Sequence, residues 1–140
     1  MDAKLDPRDA LERALLAAMA GRQQMRWGVD DCALWCANII QEALGYDPAA
    51  AWRGRYRSRR GALRVLGRAG LLAAIEGAAA VHGWRHIDPG TEAKGDIGLM
   101  LVDGVPSTVI CRAPGWFIGR NEGGWTALQG RHLQALWAVA

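Results

Sequence analysis

The sequence predicts an α+β fold in which N-terminal helices pack on one face of a small C-terminal antiparallel β-meander. Three observations carry that expectation. Through the first half of the chain, apolar residues recur at helical spacing between capping signals. The period then shortens to brief extended runs punctuated by Gly, Asn and Pro. Helices first and strands afterwards is an α+β order, unlike the alternation of βαβ units. The 140 residues fit one domain spanning 1–140, since domains of about 100–150 residues are the commonest, and no repeat, low-complexity run or linker divides them.

Asp6-Pro7 opens the first helix, with a side-chain acceptor at the cap and a ring pre-set for the first turn. Leu11, Ala14, Leu15 and Ala18 follow at helical spacing, and Gly21 is expected to end the helix in the left-handed conformation. Met25 to Val29 reads as a short extended approach. One of Asp30 and Asp31 then caps a second helix carrying Cys32, Trp35, Cys36, Ile39, Ile40 and Leu44, which stops at Gly45. Asp47-Pro48 starts a helical turn. Ser58 caps a helix reaching Leu66-Gly67, and Leu71 to Ala80 reads as a separate, alanine-rich helix. Beyond these, Ile97–Val102 and Val105–Cys111 are strands joined by the tight-turn pair Asp103-Gly104. Trp116–Ile118, Trp125–Leu128 and Ala135–Val139 complete the meander.

Half the residues are apolar and seven are Trp, which points to a well-packed core or an apolar contact surface. No apolar run approaches the roughly 20 residues that span a bilayer. The first apolar patch, Leu15 to Ala20, lacks the basic-then-apolar order of a signal peptide. Three cysteines, Cys32, Cys36 and Cys111, form no evident disulfide framework. The net charge is +3, yet Arg53, Arg55, Arg57, Arg59, Arg60, Arg64 and Arg68 crowd into sixteen residues without one Asp or Glu.

Cys32 is the most informative residue. In the first turn of a helix, unpaired N–H groups and the helix dipole favour negative charge, so the thiol is expected to have a lowered pKa. Trp27-Gly28, then Asp31-Cys32 at a helix start, then Gly95-Asp96 before the first main strand together resemble the NlpC/P60 (papain-type) cell-wall peptidases. Tyr46-Asp47-Pro48, Trp52 to Tyr56, Gly61-Ala62 and Leu136-Trp137 are similar to a subgroup found among phage-tail and gene-transfer-agent genes. The resemblance spans about residues 20–140. It implies a papain-like fold with Cys32 in the nucleophile position and a catalytic histidine opening the second sheet strand.

That histidine is missing: the corresponding stretch is Pro106-Ser107-Thr108-Val109-Ile110, and neither Ser107 nor Thr108 can protonate a leaving amine near neutral pH. His82 and His86, read as bracketing Trp84 in a loop, and His132, in the last connection, have no spacing that demands contact with Cys32. Gly83 opposes a helical metal pair at His82 and His86. No metal or other cofactor is expected. Asp31 and Asp96 are expected to serve structure, by capping a helix and by binding turn amides.

In the arginine segment, Arg57, Arg60, Arg64 and Arg68 share a helical spacing. Arg53, Arg55 and Tyr56 fall outside that stripe and match the phage-type pattern. Arg53, Arg55, Tyr56, Arg57, Arg60 and Arg64 are assigned to subunit contacts. The resemblance implies a structural component of a tail tip or baseplate with a degenerate peptidase fold, in which Cys32 is vestigial. Its partners would be neighbouring tail proteins, and it would reside in a virion tail after synthesis in a bacterial host cytoplasm without a signal peptide. One alternative is an active cell-wall cysteine peptidase or amidase acting on peptidoglycan through Cys32 and a histidine from elsewhere. Another is a nucleic-acid-binding module on Arg53–Arg68, which the small overall charge disfavours.

Overall fold

The computed structural model describes residues 5–21 and 23–140, with the side chains of 67–69 left aside. Helix α1 spans Pro7–Ala20, and the Asp6 carboxylate accepts the Arg8 N–H at its start. Its inner face buries Leu11, Ala14 and Leu15. Gly21 is extended, at φ −72° and ψ 134°, rather than left-handed. Further on, the Met25 N–H donates to the Glu122 carbonyl. The next stretch is also a correction. Residues 27–29 form a turn instead of an extended approach, with the Val29 and Asp30 N–H groups both donating to the Arg26 carbonyl.

Helix α2, Leu34–Leu44, is buried along Leu34, Trp35, Cys36, Ala37, Ile39 and Ile40, and ends at Gly45 in the left-handed conformation (φ 81°). A turn follows, in which Asp47 accepts the Ala49 N–H and holds Arg53 through both carboxylate oxygens at 2.7 and 3.0 Å. Helix α3 runs from Arg59 to His82 as one element where two helices are expected. Ser58 caps it by accepting the Gly61 N–H, and no proline interrupts it. Its arms, Arg59–Leu66 and Gly70–His82, meet at 63°. The bend lets the first arm press Ala62 against Leu34, Ala49 and Tyr56, while the second sends Leu71, Ile75, Ala78 and Ala79 into the main core. No single described helix is long and apolar enough to cross a membrane; the two α3 arms together meet that test by length and composition.

Strands β1 (Arg85–His86), β2 (Ile97–Val102), β3 (Val105–Ala113), β4 (Trp116–Asn121), β5 (Gly124–Gln129) and β6 (Ala135–Ala138) form one antiparallel sheet; a 3₁₀ turn over Gly130–His132 precedes β6. The order is β1-β6-β2-β3-β4-β5, so only β2 to β5 form a meander and β6 returns to lie beside β2. His82 therefore closes α3 and His86 sits in β1, correcting the loop expected around Trp84. The fold is α+β. The α1, α2 and α3 side chains pack with Ile97, Leu99, Ile110, Ile118 and Trp137 from the sheet. A second cluster holds Met100, Val102, Val109, Cys111, Phe117 and Leu136. Trp35, Trp84 and Trp137 are core residues, whereas Trp116 and Trp125 are exposed.

Candidate functional site at the start of the second helix

Asp31 organises the site. It is fully buried, and its Oδ1 accepts the N–H groups of Ala33 and Leu34, both at 3.0 Å. Its Oδ2 accepts the Gly28 N–H and the Tyr56 hydroxyl, both at 2.9 Å, and its carbonyl takes the Trp35 N–H. Asp31 thus binds the amides that lead into α2, but the helix itself starts only at Leu34, with Ala33 at its cap position; Cys32, expected on the helix, lies in the turn before it, its carbonyl taken by Thr108. Asp30 instead ties Arg26 and Arg120. Gly28 is left-handed (φ 82°) and lies against the Tyr56 carbonyl, with which any Cβ would collide. The Trp-Gly and Asp-Cys pairs of the sequence therefore meet through one carboxylate.

Cys32 lines two neighbouring hollows. The first, about 560 Å³, is lined by Trp27, Arg59, Val105, Ser107, Asn121 and Glu122 among others. The second, about 230 Å³, is mostly apolar, with Trp27, Tyr56, Leu63, Leu66, Leu71 and Pro106 in its walls. Arg59 lines both. No histidine borders either hollow. His82 stacks on Tyr46 with ring centroids 3.9 Å apart, and His86 Nε2 accepts the indole N–H of the fully buried Trp137 at 3.1 Å. His132 lies in the 3₁₀ turn before β6.

The thiol itself is a correction. Burial pushes its pKa up, the Asp31 carboxylate pushes it further, and the neighbouring Ser107 hydroxyl together with the Arg59 charge only partly offsets them. The helix start was expected to do the reverse. The first reason is burial and the second is Asp31: its carboxylate occupies the N–H groups of Ala33 and Leu34 that would otherwise stabilise a thiolate, and it adds a like charge near the sulfur. The site holds a thiol rather than a poised thiolate. All three cysteines are free; burial drives Cys36 and Cys111 up to about 12.

Opposite, at the start of β3, Ser107 is fully buried and its hydroxyl donates to the Val105 carbonyl at 2.9 Å. Thr108 donates its hydroxyl and its N–H to the Cys32 carbonyl, both at 3.1 Å, stitching β3 to the start of α2. Neither side chain carries a proton that titrates near neutral pH.

Residues 6–139 match a protein-family model described as a domain of unknown function, DUF6950. The chain belongs to that family. Comparison with curated proteins gives no match. The DUF6950 match takes in every residue of the Cys32 site, from Met25 to Gly123.

The remaining residues singled out in the sequence scatter around this DUF6950 site. Asp96, 1% exposed, accepts the Ala93 turn amide, the Val139 N–H and the Arg8 guanidinium (2.7 Å), so it anchors α1 and the last strand rather than joining Cys32. Tyr56 does not belong with the contact residues: it is 5% exposed and turned toward Asp31. Arg53 is engaged by Asp47. Arg57 precedes the α3 cap, so it does not share a helix stripe with Arg60 and Arg64; the Arg68 side chain lies outside the described residues. Arg55, Arg57, Arg60 and Arg64 are exposed.

Two residues went unread in the sequence. Arg120, 5% exposed, lines the larger hollow and donates to the carbonyls of Asp30, Gln23 and Gly124. Glu92 is pushed up by burial, but the N–H groups of Gly90 and Gly115 outweigh that and hold its pKa below the ordinary value. A charged residue flanked by β-strand or turn residues was the available signal for each.

Proposed function

We propose that this DUF6950 chain is a non-catalytic domain of the NlpC/P60-like, papain-type kind, serving as a structural component of a phage or phage-like tail tip or baseplate. The observation that carries the reading is the pairing of Cys32 with Ser107 in a hollow that no histidine borders. Cysteine hydrolysis needs a thiolate to attack and a general acid to release the amine. Here the thiol is held protonated by burial and by Asp31, and the group facing it is a hydroxyl already committed to a carbonyl. The motif order Trp27-Gly28, Asp31-Cys32 and Gly95-Asp96 supports the kinship, and the phage-type motifs between Tyr46 and Ala62 support the tail assignment. Neighbouring tail proteins are the partners under this reading.

The test has two arms. Purified chain incubated with peptidoglycan should release no peptide, and its thiol should alkylate slowly at pH 7. Particles from a host lacking the gene should be defective, and a Cys32→Ala copy should restore them fully. Peptide release that vanishes in Cys32→Ala would establish the peptidase alternative instead. Normal particles without the gene product would remove the tail assignment.

A further inference from the structure

The two edges of the sheet are built differently. Strand β1 is two residues long and consists of the exposed Arg85 and His86. Short, charged edges of this kind resist further pairing. Strand β5 is six residues, Gly124–Gln129, in unbroken register with β4 and without charge, proline or bulge.

The direction of its free groups follows from the hairpin. Asn121 pairs with Gly124 across a two-residue turn, and at the far end the Gly130 N–H donates to the Gly115 carbonyl at 3.0 Å. In an antiparallel pair, hydrogen-bonded and non-bonded positions alternate. Gly124, Thr126 and Leu128 therefore bond to β4, and Trp125, Ala127 and Gln129 turn their N–H and C=O groups outward. None of those outward groups has a partner among the described residues.

We infer that β5 is a self-association edge, where a second copy of this chain adds its own β5 antiparallel across a two-fold axis at Ala127. Charge selects this occupant. The strand is neutral, with exposed Glu122 just before it and exposed Arg131 and His132 just after it. Neither Glu122 nor Arg131 has an ion-pair partner among the described residues. An antiparallel copy sets the acidic end of each strand beside the basic end of the other, twice by symmetry. Ala127 then faces Ala127, and Trp125 of one copy faces Gln129 of the other. Gln129 already neighbours Trp116 on β4, so the two half-exposed tryptophans, at 48% and 39%, flank it. Every outward N–H finds a carbonyl. The inference stands apart from the tail assignment, since it rests on the strand and the charges that flank it.

Sedimentation equilibrium of the full chain decides it. The expected mass is twice 15.1 kDa at micromolar concentrations. Ala127→Pro removes an outward N–H without touching a bond to β4, and should raise the dimer dissociation constant at least tenfold with unchanged circular dichroism. Glu122→Lys should weaken the dimer several-fold, and adding Arg131→Glu with His132→Glu should restore it. Should Ala127→Pro fold poorly, hydrogen exchange of the wild-type chain gives the answer: the Trp125, Ala127 and Gln129 amides should gain protection as concentration rises. A wild-type chain that stays monomeric, or those amides exchanging freely at every concentration, overturns the inference. Association through another surface, unaffected by Ala127→Pro, overturns it equally.

Discussion

The two walls of the Cys32 hollow are built on opposite principles. On the α2 side, one buried carboxylate gathers four donors from three separate stretches of chain: Gly28, Ala33 with Leu34, and Tyr56. On the β3 side, the two hydroxyls are spent on backbone carbonyls, Ser107 on Val105 and Thr108 on Cys32. The first wall is held by one carboxylate with four donors; the second presents hydroxyls that already donate to backbone. Local order around a nucleophile-like thiol is therefore not evidence of catalysis, because the same carboxylate that fixes the geometry also suppresses the charge.

Asp31→Ala should break the ordered wall. It leaves the amides of Gly28, Ala33 and Leu34 and the Tyr56 hydroxyl without their acceptor. A lost cap costs about 1 kcal/mol, and each buried donor left unpaired adds roughly 1–3 kcal/mol. A loss of about 4 kcal/mol in urea unfolding is expected, and a loss below about 1 kcal/mol would mean that the network contributes little. Asp31→Asn separates charge from packing. It keeps an acceptor while removing the like charge, so it should lower the Cys32 pKa relative to the parent even as stability falls.

The thiols sharpen the contrast through pH. Cys36 and Cys111 are raised from 9.0 to about 12, and Cys32 is raised as well. A thiol with a raised folded pKa contributes stability that is whole below its unfolded value and is lost as pH climbs from about 9 toward 12. At pH 10 each of Cys36 and Cys111 should cost about 1.4 kcal/mol, the equivalent of one pH unit. Unfolding at pH 8 and pH 10 should differ by that sum beyond other groups, and the gap should shrink in Cys36→Ala. An unchanged gap in that variant would mean that the Cys36 thiol titrates normally.

How much of this was legible in advance depends on range. Local signals were read well: Asp6-Pro7, Ser58, Gly45 and the Ile97–Val102, Asp103-Gly104, Val105 hairpin all lie where turn and cap chemistry put them. Asp103 and Gly104 both adopt positive φ, as a tight hairpin turn requires. Strand β1 was invisible because two exposed residues have no period to detect. The separate helix expected over Leu71 to Ala80 joins the Ser58 helix in α3, because the chain between Leu66 and Gly70 bends by 63° without ending the helix. Gly21 was misread because a glycine after a helix allows the left-handed turn without demanding it.

The site was legible by half. Cys32 behind an Asp-Asp pair and the absence of histidine from residues 106–110 are sequence facts; that Cys32 stops two residues short of the helix is not. The state of the thiol was not, since it depends on where the Asp31 carboxylate points. Nor was Tyr56, which sits among arginines in the sequence but turns inward across 25 positions to reach Asp31. Glycine at 28 and 61 leaves room for it there, since a Cβ at either position would press on the Tyr56 carbonyl or Cβ.

The silent wall can be given a voice. Ser107→His places an imidazole next to the Cys32 sulfur, beside a hollow of about 560 Å³ with room for the ring. A histidinium near a thiol lowers its pKa, so iodoacetamide labelling of Cys32 at pH 7 should accelerate about tenfold, equivalent to roughly 1.4 kcal/mol. Cys32→Ala in the same background removes the signal and assigns it to this sulfur. An unchanged rate in a folded Ser107→His protein would place Ser107 out of line with the thiol, and the equivalence between Ser107 and the absent histidine would then be lost.

Thr108→Val is the smallest of these changes and the most specific to the stitching of the two walls. Valine keeps the β-branch and nearly the volume while deleting the hydroxyl that donates to the Cys32 carbonyl. The Thr108 N–H still donates to the same oxygen, so that carbonyl is not left unpaired. A loss of about 1 kcal/mol follows from one neutral hydrogen bond. The loss should be unchanged in a Cys36→Ala background if the Cys32 carbonyl is the partner that matters. If it disappears there, the threonine acts instead through the neighbouring Cys36 thiol, and neither the Cys32 carbonyl nor the more distant Ala33 carbonyl at 3.4 Å is the partner that matters.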